Sequence, residues 1–499
     1  MTKLTQQQLE SHLWKSADIL RGSVSSVSYK NYIFGLLFLK RTSDVFQEQR
    51  QALLDKYGEV TGAQIAEMPT QYQFYVPEVA RWENVRKHAT DIGAAINIAF
   101  EALENENATL LNVLTPIDFN NKEILTDETL QRLLSHFSEL DLRNENLSEP
   151  DMLGRAYEYL IKMFADDAGQ KGGEFYTPSK VVELIVKIIK PEEGMRVYDP
   201  TCGSGGMLIQ SVDYVKTNGG NPQALSLFGQ ERNLETWAIA KMNLLLHGLP
   251  DHQIVKGDTL RNPKLLEDGE LMLFDRVIAN PPFSLKEWGR DEAQADTYGR
   301  YQFGIPPKSY GDYAFVQHMI ASLNSEGVAG VVMPHGVLFR GGAEGKIRKA
   351  ILESDLLEAI IGLPSSLFYG TGIPACIMIF NRHKPEERKG KVFIIAAEDE
   401  YQEGKNQNHL RDQDVEKIVS TFDAYEDVEK YAKVVSLDEI KDNDYNLNIT
   451  RYIDKSEEEE PVDIPAVLNE LATIHQQRAE NTVKLNGFLK ELGLGEIHE

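Results

Sequence analysis

The chain has 499 residues, of which 42% are hydrophobic, and a formal charge of −25. That length exceeds one domain and supplies ample core, while apolar runs as short as residues 33–39 exclude a bilayer span. Two cysteines, Cys202 and Cys376, exclude a disulfide framework and a zinc cluster, and the charge excludes a protein that clings to nucleic acid through bulk electrostatics.

The start, Met1-Thr-Lys-Leu-Thr-Gln, has no apolar signal segment, so the cytoplasm is the expected compartment. Residues 7–20, 29–46 and 92–103 repeat apolar residues at helical spacing, which predicts a helical domain over 1–148. Leu36, Leu37, Phe38 and Leu39 read as core. The polar stretch Arg143-Asn-Glu-Asn-Leu-Ser-Glu-Pro150 marks a boundary.

From Met152 a helical pattern runs into Lys171-Gly-Gly-Glu-Phe-Tyr-Thr-Pro178, and a second helix is predicted over 180–189. Thr177 offers a capping hydroxyl and Pro178 suits the first helical position. Next, Arg196-Val-Tyr-Asp-Pro-Thr-Cys-Gly-Ser-Gly-Gly206 reads as a strand that ends in an acid and turns through glycines into a helix. Glycines let a backbone approach a ligand, and a helix start offers free N–H groups. The stretch matches neither a dinucleotide fingerprint nor a P-loop.

The strand 226–231 ends in Glu231, placed to grip two ribose hydroxyls. Asp258 ends the strand 253–258, where an acid can accept from an adenine amino group or simply shape a turn. A fourth strand, 275–279, opens into Asn280-Pro281-Pro282-Phe283. Prolines have no N–H, so this stiff turn presents carbonyl acceptors; Asn280 adds an amide oxygen and Phe283 an aromatic face. Such a pocket suits a planar ring bearing an exocyclic NH2, whose nitrogen becomes more nucleophilic when both hydrogens are held. Four successive strands thus end in ligand-type residues on one edge.

Residues 291–308 read as a mobile loop able to close over substrate. Alternating helices and strands continue to an edge strand at 391–397, and Leu367-Phe-Tyr-Gly-Thr-Gly-Ile-Pro374 is available either to line the base pocket or to fill core. Residues 391–499 hold 26 acidic and 12 basic residues. From Pro465 the pattern is helical, with Val467, Leu471, Ile474, Leu485, Phe488 and Leu492 at steps of four and three. A stripe this narrow suits a partner helix, or a helix packed on its own domain.

Taken in order, the strand-end acid with Gly-Ser-Gly-Gly, Glu231, Asp258 and Asn-Pro-Pro-Phe resemble the S-adenosyl-L-methionine-dependent amino-methyltransferases of DNA. The flanks resemble the modification (methylase) subunit of type I restriction–modification systems. They are Phe34-Gly-Leu-Leu-Phe-Leu-Lys-Arg41, Gly173-Glu-Phe-Tyr-Thr-Pro178, Phe228-Gly-Gln-Glu231, Asn243-Leu-Leu-Leu-His-Gly248 and Asp444-Tyr-Asn-Leu-Asn-Ile-Thr-Arg-Tyr452. The resemblance implies an α/β, Rossmann-like methyltransferase sheet over 149–455, between the helical N-terminal domain and an acidic linker and partner-binding helix at 456–499.

It also implies N6-adenine methylation of double-stranded DNA, with S-adenosyl-L-methionine held by Glu174, Phe175, Tyr176, Thr177, Pro178, Ser179, Asp199, Gly203, Ser204, Gly205, Gly206 and Glu231. Asp258 would contact the cofactor's adenine. Asn280, Pro281, Pro282 and Phe283 would hold the target adenine, flipped out of the duplex. The implied partners are a specificity subunit flanked by two methylase copies and a restriction nuclease-translocase subunit; no metal is implied. A protein glutamine-amide methyltransferase and an idle methyltransferase-fold scaffold are the alternative readings.

Overall fold

The computed structural model describes residues 3–21, 24, 26–149, 151–168, 176–369, 371–405, 407–456, 463–495 and 497. The chain opens with α1 (Gln6–Leu20), α2 (Ser26–Tyr57), α3 (Glu59–Ala66), the short α4 (Trp82–Val85), α5 (Ile92–Glu106) and α6 (Asp127–Ser138). Thr5 and Gln8 form a capping box at α1, and Thr126 caps α6. Leu36 to Leu39 are fully buried, as their apolar run predicts.

Helices and strands then alternate: α7 (Met152–Ala168), α8 (Ser179–Ile189), β1 (Arg196–Asp199), α9 (Gly206–Thr217), β2 (Ser226–Glu231), α10 (Leu234–Leu246) and β3 (His252–Lys256). A small hairpin, β4 (Leu266–Glu267) and β5 (Glu270–Leu271), precedes β6 (Phe274–Ala279). After it come α11 (Arg290–Ala293), α12 (Asp312–Ala321), β7 (Leu323–Pro334), α13 (Gly342–Glu353), β8 (Leu357–Gly362) and β9 (Ala375–Asn381). The elements β10 (Lys391–Ala396), α14 (Asp412–Ala424), β11 (Ala432–Ser436) and α15 (Leu437–Asp442) complete the sheet region.

Nine strands form one sheet in the order β11-β10-β8-β9-β7-β6-β1-β2-β3. Pairings from β3 across to β7 are parallel, and β9 and β11 run antiparallel to their neighbours. Winding proceeds outward from β1 through β2 and β3, then returns to the other side of β1 for β6 and β7. Strand order therefore reverses between β1 and β6, the kind of switch point at which open α/β sheets bind ligands. The sheet is buried on both faces: Ile278, Val332 and Ile379 enter one apolar cluster, while Val277, Val331 and Met378 enter the other. The first cluster also takes in the inward faces of α1, α2, α5 and α6, so the helical region and that side of the sheet share a core.

Chain contacts separate two units, 1–453 and 454–499. Within the second, α16 (Ile464–Glu491) carries Val467, Leu471, Ile474, Leu485 and Phe488 as exposed side chains. Among the described residues no helix is long and apolar enough to cross a membrane.

Two local expectations are corrected. The strand at 391–397 is not the sheet edge: β10 pairs with β8 on one side and is covered by antiparallel β11 on the other, a return that local periodicity does not reveal. The segment 291–308 is fastened rather than loose. Arg300, nearly fully buried, bonds Asp296 (2.7 Å) and the carbonyls of Thr259 (3.1 Å) and Leu260 (2.9 Å), and Trp288 donates to Pro307 O (2.9 Å).

Candidate active site

At the switch point the chain leaves β1 through Asp199 and Pro200 and turns into α9. Gly203 (φ 53°) and Gly205 (φ 81°) take left-handed conformations that favour glycine, and Gly205 N donates to Cys202 O at 2.7 Å. Asn243 of α10 fastens the turn from beneath, donating Nδ2 to Ser204 O at 2.9 Å. Asp199 is buried, accepts Thr201 N–H (2.9 Å), and burial pushes its carboxyl up to about 8.

Glu231, at the end of β2, reaches the same turn. Its two oxygens accept from Gly203 N (3.1 Å) and Asn233 N (2.7 Å), and each keeps a second lone pair. Burial raises its carboxyl and those N–H groups oppose the rise. Asp258 serves its own turn: one oxygen accepts from Leu260 N (3.1 Å) and Arg261 N (3.0 Å), and the other lies 3.7 Å from Arg232.

Across the switch point, Asn280 follows β6. Its Nδ2 donates to Thr177 Oγ1 at 3.0 Å, which turns Oδ1 the other way as an acceptor. Thr177 does not cap α8, contrary to the sequence expectation. The helix starts at Ser179 with Pro178 before it and has no side-chain cap bond, and the Thr177 hydroxyl is taken by Asn280. Gly330 of β7 lets α8 lie close, since a Cβ there would stand 2.5 Å from Ile185 Cγ2. Pro281 is buried, Pro282 exposed and Phe283 half-buried, its ring edge-to-face with Phe368 at 5.7 Å. Tyr176 and Tyr369 pair at the same centroid distance of 5.7 Å.

The backbone immediately after Phe283 is clamped. Ser284 takes a left-handed φ of 52°, and its N–H donates to the buried Asp312 carboxylate at 2.7 Å. Arg340 closes the clamp with bonds to Asp312 (3.0 Å) and Glu344 (3.1 Å), and its guanidinium lies over the Tyr310 ring at 4.3 Å.

A cavity of about 60 Å3 gathers Tyr176, Thr177, Ser179, Asp199, Gly203, Ser204, Gly206 and Asn280 of the predicted residues. A nucleoside-sized ligand would also need the open strand edge toward Glu231 and Asp258. Gly205 shapes the turn from behind, while Pro178, Pro281, Pro282 and Phe283 flank the cavity in sequence without lining it. Glu174 and Phe175 lie outside the described residues. The cavity fits a cationic, hydroxyl-bearing ligand: it faces two carboxyls, and Thr201 Oγ1 is buried there without a hydrogen-bond partner.

Sequence reasoning missed Glu158, Gln210, Asp312 and Arg340, and gave Asn243 only as part of the Asn243-to-Gly248 stretch. Glu158, on α7, lines the cavity; burial, aided by the Asp213 charge, raises its carboxyl to about 7. Its signal was an acid set inside the apolar pattern of Tyr157, Leu160 and Ile161. Asp312 opens α12 as an ordinary first-turn acid, so no local signal marks it.

The doubly wound sheet with its cavity at the switch point is the fold of a Rossmann-like methyltransferase. The family described as N-6 DNA Methylase matches residues 148–461, and HsdM N-terminal domain matches residues 9–137. The chain is 36% identical to the type I restriction enzyme MjaVII methylase subunit of Methanocaldococcus jannaschii over 98% of its own length and 85% of that protein. With the HindI methylase subunit of Haemophilus influenzae it shares 32% identity, over 83% of this chain and 98% of the relative. The crystal structure of the type I restriction–modification methyltransferase subunit from Streptococcus thermophilus aligns with a TM-score of 0.80 at 32% identity, over 90% of this chain and all of that one. The chain belongs to the methylase subunits of type I restriction–modification systems, and it is an adenine-specific DNA methyltransferase.

Asp312→Ala leaves the Ser284 N–H without its acceptor, a loss of about 1–3 kcal/mol, while Arg340 keeps its bond to Glu344. Adenine methylation should fall by more than tenfold while S-adenosylmethionine affinity, read by calorimetry, stays unchanged. Asp312→Asn keeps an acceptor for Ser284 and should lose less.

Proposed function

We propose that this chain uses S-adenosyl-L-methionine to methylate N6 of an adenine flipped out of double-stranded DNA, and that it does so within an assembly that reads the site. The observation that carries the reading is the pairing of Thr177 with Asn280 across the switch point, because it occupies Asn280 Nδ2 and, among the described residues, leaves Oδ1 available as an acceptor. When bound, S-adenosyl-L-methionine supplies an electrophilic methyl group on a sulfonium centre. Residues 176–179, Asp199 and the turn of Gly203, Ser204, Gly205 and Gly206 hold it, joined by Glu174 and Phe175. Glu231 takes the ribose hydroxyls on its spare lone pairs, and Asp258 takes the adenine amino group. Asn280 Oδ1 and the proline-turn carbonyls accept the two amino hydrogens of the target base, and Phe283 stacks on its face.

Regions divide the labour: residues 149–455 carry the chemistry, 1–148 form the helical domain, and 456–499 meet the specificity subunit. Two methylase copies per specificity subunit, with a nuclease-translocase subunit for restriction, complete the assembly. Support for the partner comes from charge and from α16. Residues 391–499 are acidic in excess, so phosphates repel the isolated chain, and α16 leaves its apolar stripe exposed.

Asn280→Ala deletes an acceptor of the amino group and should reduce methylation by about a hundredfold or more at unchanged cofactor affinity. Glu231→Ala should instead weaken the cofactor by about 1.5–3 kcal/mol. Mass spectrometry of adenines and calorimetry separate the two; normal methylation by Asn280→Ala in the assembled complex would refute the chemistry.

The raised carboxyls of Asp199 (about 8) and Glu158 (about 7) make cofactor binding depend on pH. Both hold protons in the empty folded protein that the unfolded chain releases above about pH 4. A ligand bearing ammonium and sulfonium charges favours their ionised forms, so binding should release protons at pH 7. Affinity should rise about tenfold between pH 6.5 and 8.5. Calorimetry in buffers of different ionisation enthalpy measures this, and Asp199→Asn should flatten most of the slope.

A chain ending before Ile464 should bind S-adenosylmethionine normally, fail to assemble with the specificity subunit and lose site-specific methylation. Burying the stripe supplies several kcal/mol at about 25 cal/mol per Å2. Size-exclusion chromatography reads the assembly, and full activity of the shortened chain in complex would remove α16 from it.

A further inference from the structure

The turn that carries Arg340 also forms one wall of a polar cleft of about 370 Å3, between the start of α13 and residues 443–451. All of those but Asn443 belong to the Asp444-to-Tyr452 stretch, which has no part in the pocket at the switch point. Four hydrogen bonds, three of them from Arg348, bolt the stretch to the turn. Leu447 N donates to Leu338 O (2.9 Å), Arg348 Nε to Tyr445 O (2.7 Å), and Arg348 Nη1 to Val337 O (3.0 Å) and Arg340 O (2.9 Å). The cleft and the clamp on Ser284 therefore share one rigid piece of backbone, with Arg340 holding Asp312 on the side toward Phe283.

The charge of the cleft opposes that of the chain. Four cations line it, Lys346, Arg348, Lys349 and Arg451, against the single carboxylate of Asp444. Arg348 is buried and bonded to carbonyls. Lys349 stands 3.7 Å from Glu353 and over the Tyr445 ring. Lys346 and Arg451 are exposed, and among the described residues their side chains have no hydrogen-bond or ion-pair partner. The floor is open, because a Cβ at Gly341 or Gly342 would meet nothing within 4 Å. In a protein of formal charge −25, two unpaired cations over bare backbone, joined to the catalytic loop, suit an anionic polymer that must lie against that loop.

We infer that this cleft seats the phosphate backbone of the DNA duplex beside the flipped adenine, with Lys346 and Arg451 as the phosphate-contacting residues. The inference rests on the reading that DNA is the substrate, and it adds a contact that positions the duplex without reading its sequence.

The test uses the assembled methylase–specificity complex and a duplex carrying its site. Lys346→Glu combined with Arg451→Glu should raise KM for DNA about tenfold or more at moderate salt. It should also reduce the slope of log affinity against log salt by about two, since each neutralised phosphate contributes about 0.9. The value of kcat at saturating DNA and the affinity for S-adenosylmethionine should match the unaltered complex. Lys346→Arg with Arg451→Lys preserves charge and should behave as the unaltered protein. Unchanged DNA affinity and salt slope in the charge-reversed complex would overturn the proposal. So would a defect confined to subunit assembly, which would make the cleft a protein contact. Failure of the unaltered complex to methylate adenine would instead overturn the functional reading.

Discussion

The reversal of strand order between β1 and β6 is the constraint from which the site follows. Two neighbouring parallel strands whose connections leave in opposite directions cannot both be covered by their own helices at the carboxyl edge. The uncovered edge receives the glycine turn from one side and the proline turn from the other. Asn280 and Thr177 bridge it at 3.0 Å, and helix α8 stands close enough to supply Thr177 because β7 carries a glycine beneath it. A helix–strand packing contact thereby sets the direction of the Asn280 amide.

Each strand end is then locked by hydrogen bonds from a different part of the chain. Glu231 holds the glycine turn, Asn243 holds it again from α10, and Asp312 with Arg340 holds the backbone after Phe283. These are charge-assisted or buried bonds, so each group costs more when left unpaired than it contributes when made. Rigidity of this kind suits a reaction whose rate depends on acceptors aimed in advance at a poor nucleophile.

Electrostatics divide the same surface by task. Burial raises the carboxyls of Asp199 and Glu158 at the switch point, and the exposed Lys346 and Arg451 stand at the cleft beyond Arg340. An acidic chain can thus attract a cationic cofactor at one place and a polyanion at another, with bulk charge discouraging contact elsewhere.

The sequence by itself determined the doubly wound sheet, the order of its strand-end residues and the helical stripe near the carboxyl end. Each is written in local periodicity, in glycine and proline chemistry, or in the spacing of polar residues at strand ends. Only the tertiary structure decided which groups meet. Thr177 reads as a helix cap until Asn280, 103 residues later, takes its hydroxyl. Asp312 reads as an ordinary first-turn acid until Ser284 and Arg340 bond it from 28 residues away on either side. The strand at 391–397 reads as an edge until β11 returns to cover it, and Glu158 reads as one acid inside an apolar helical pattern until it lines the cavity. Hydrogen bonds between residues distant in the chain leave no periodic trace, because the pairing depends on how the elements pack and not on the residues beside them.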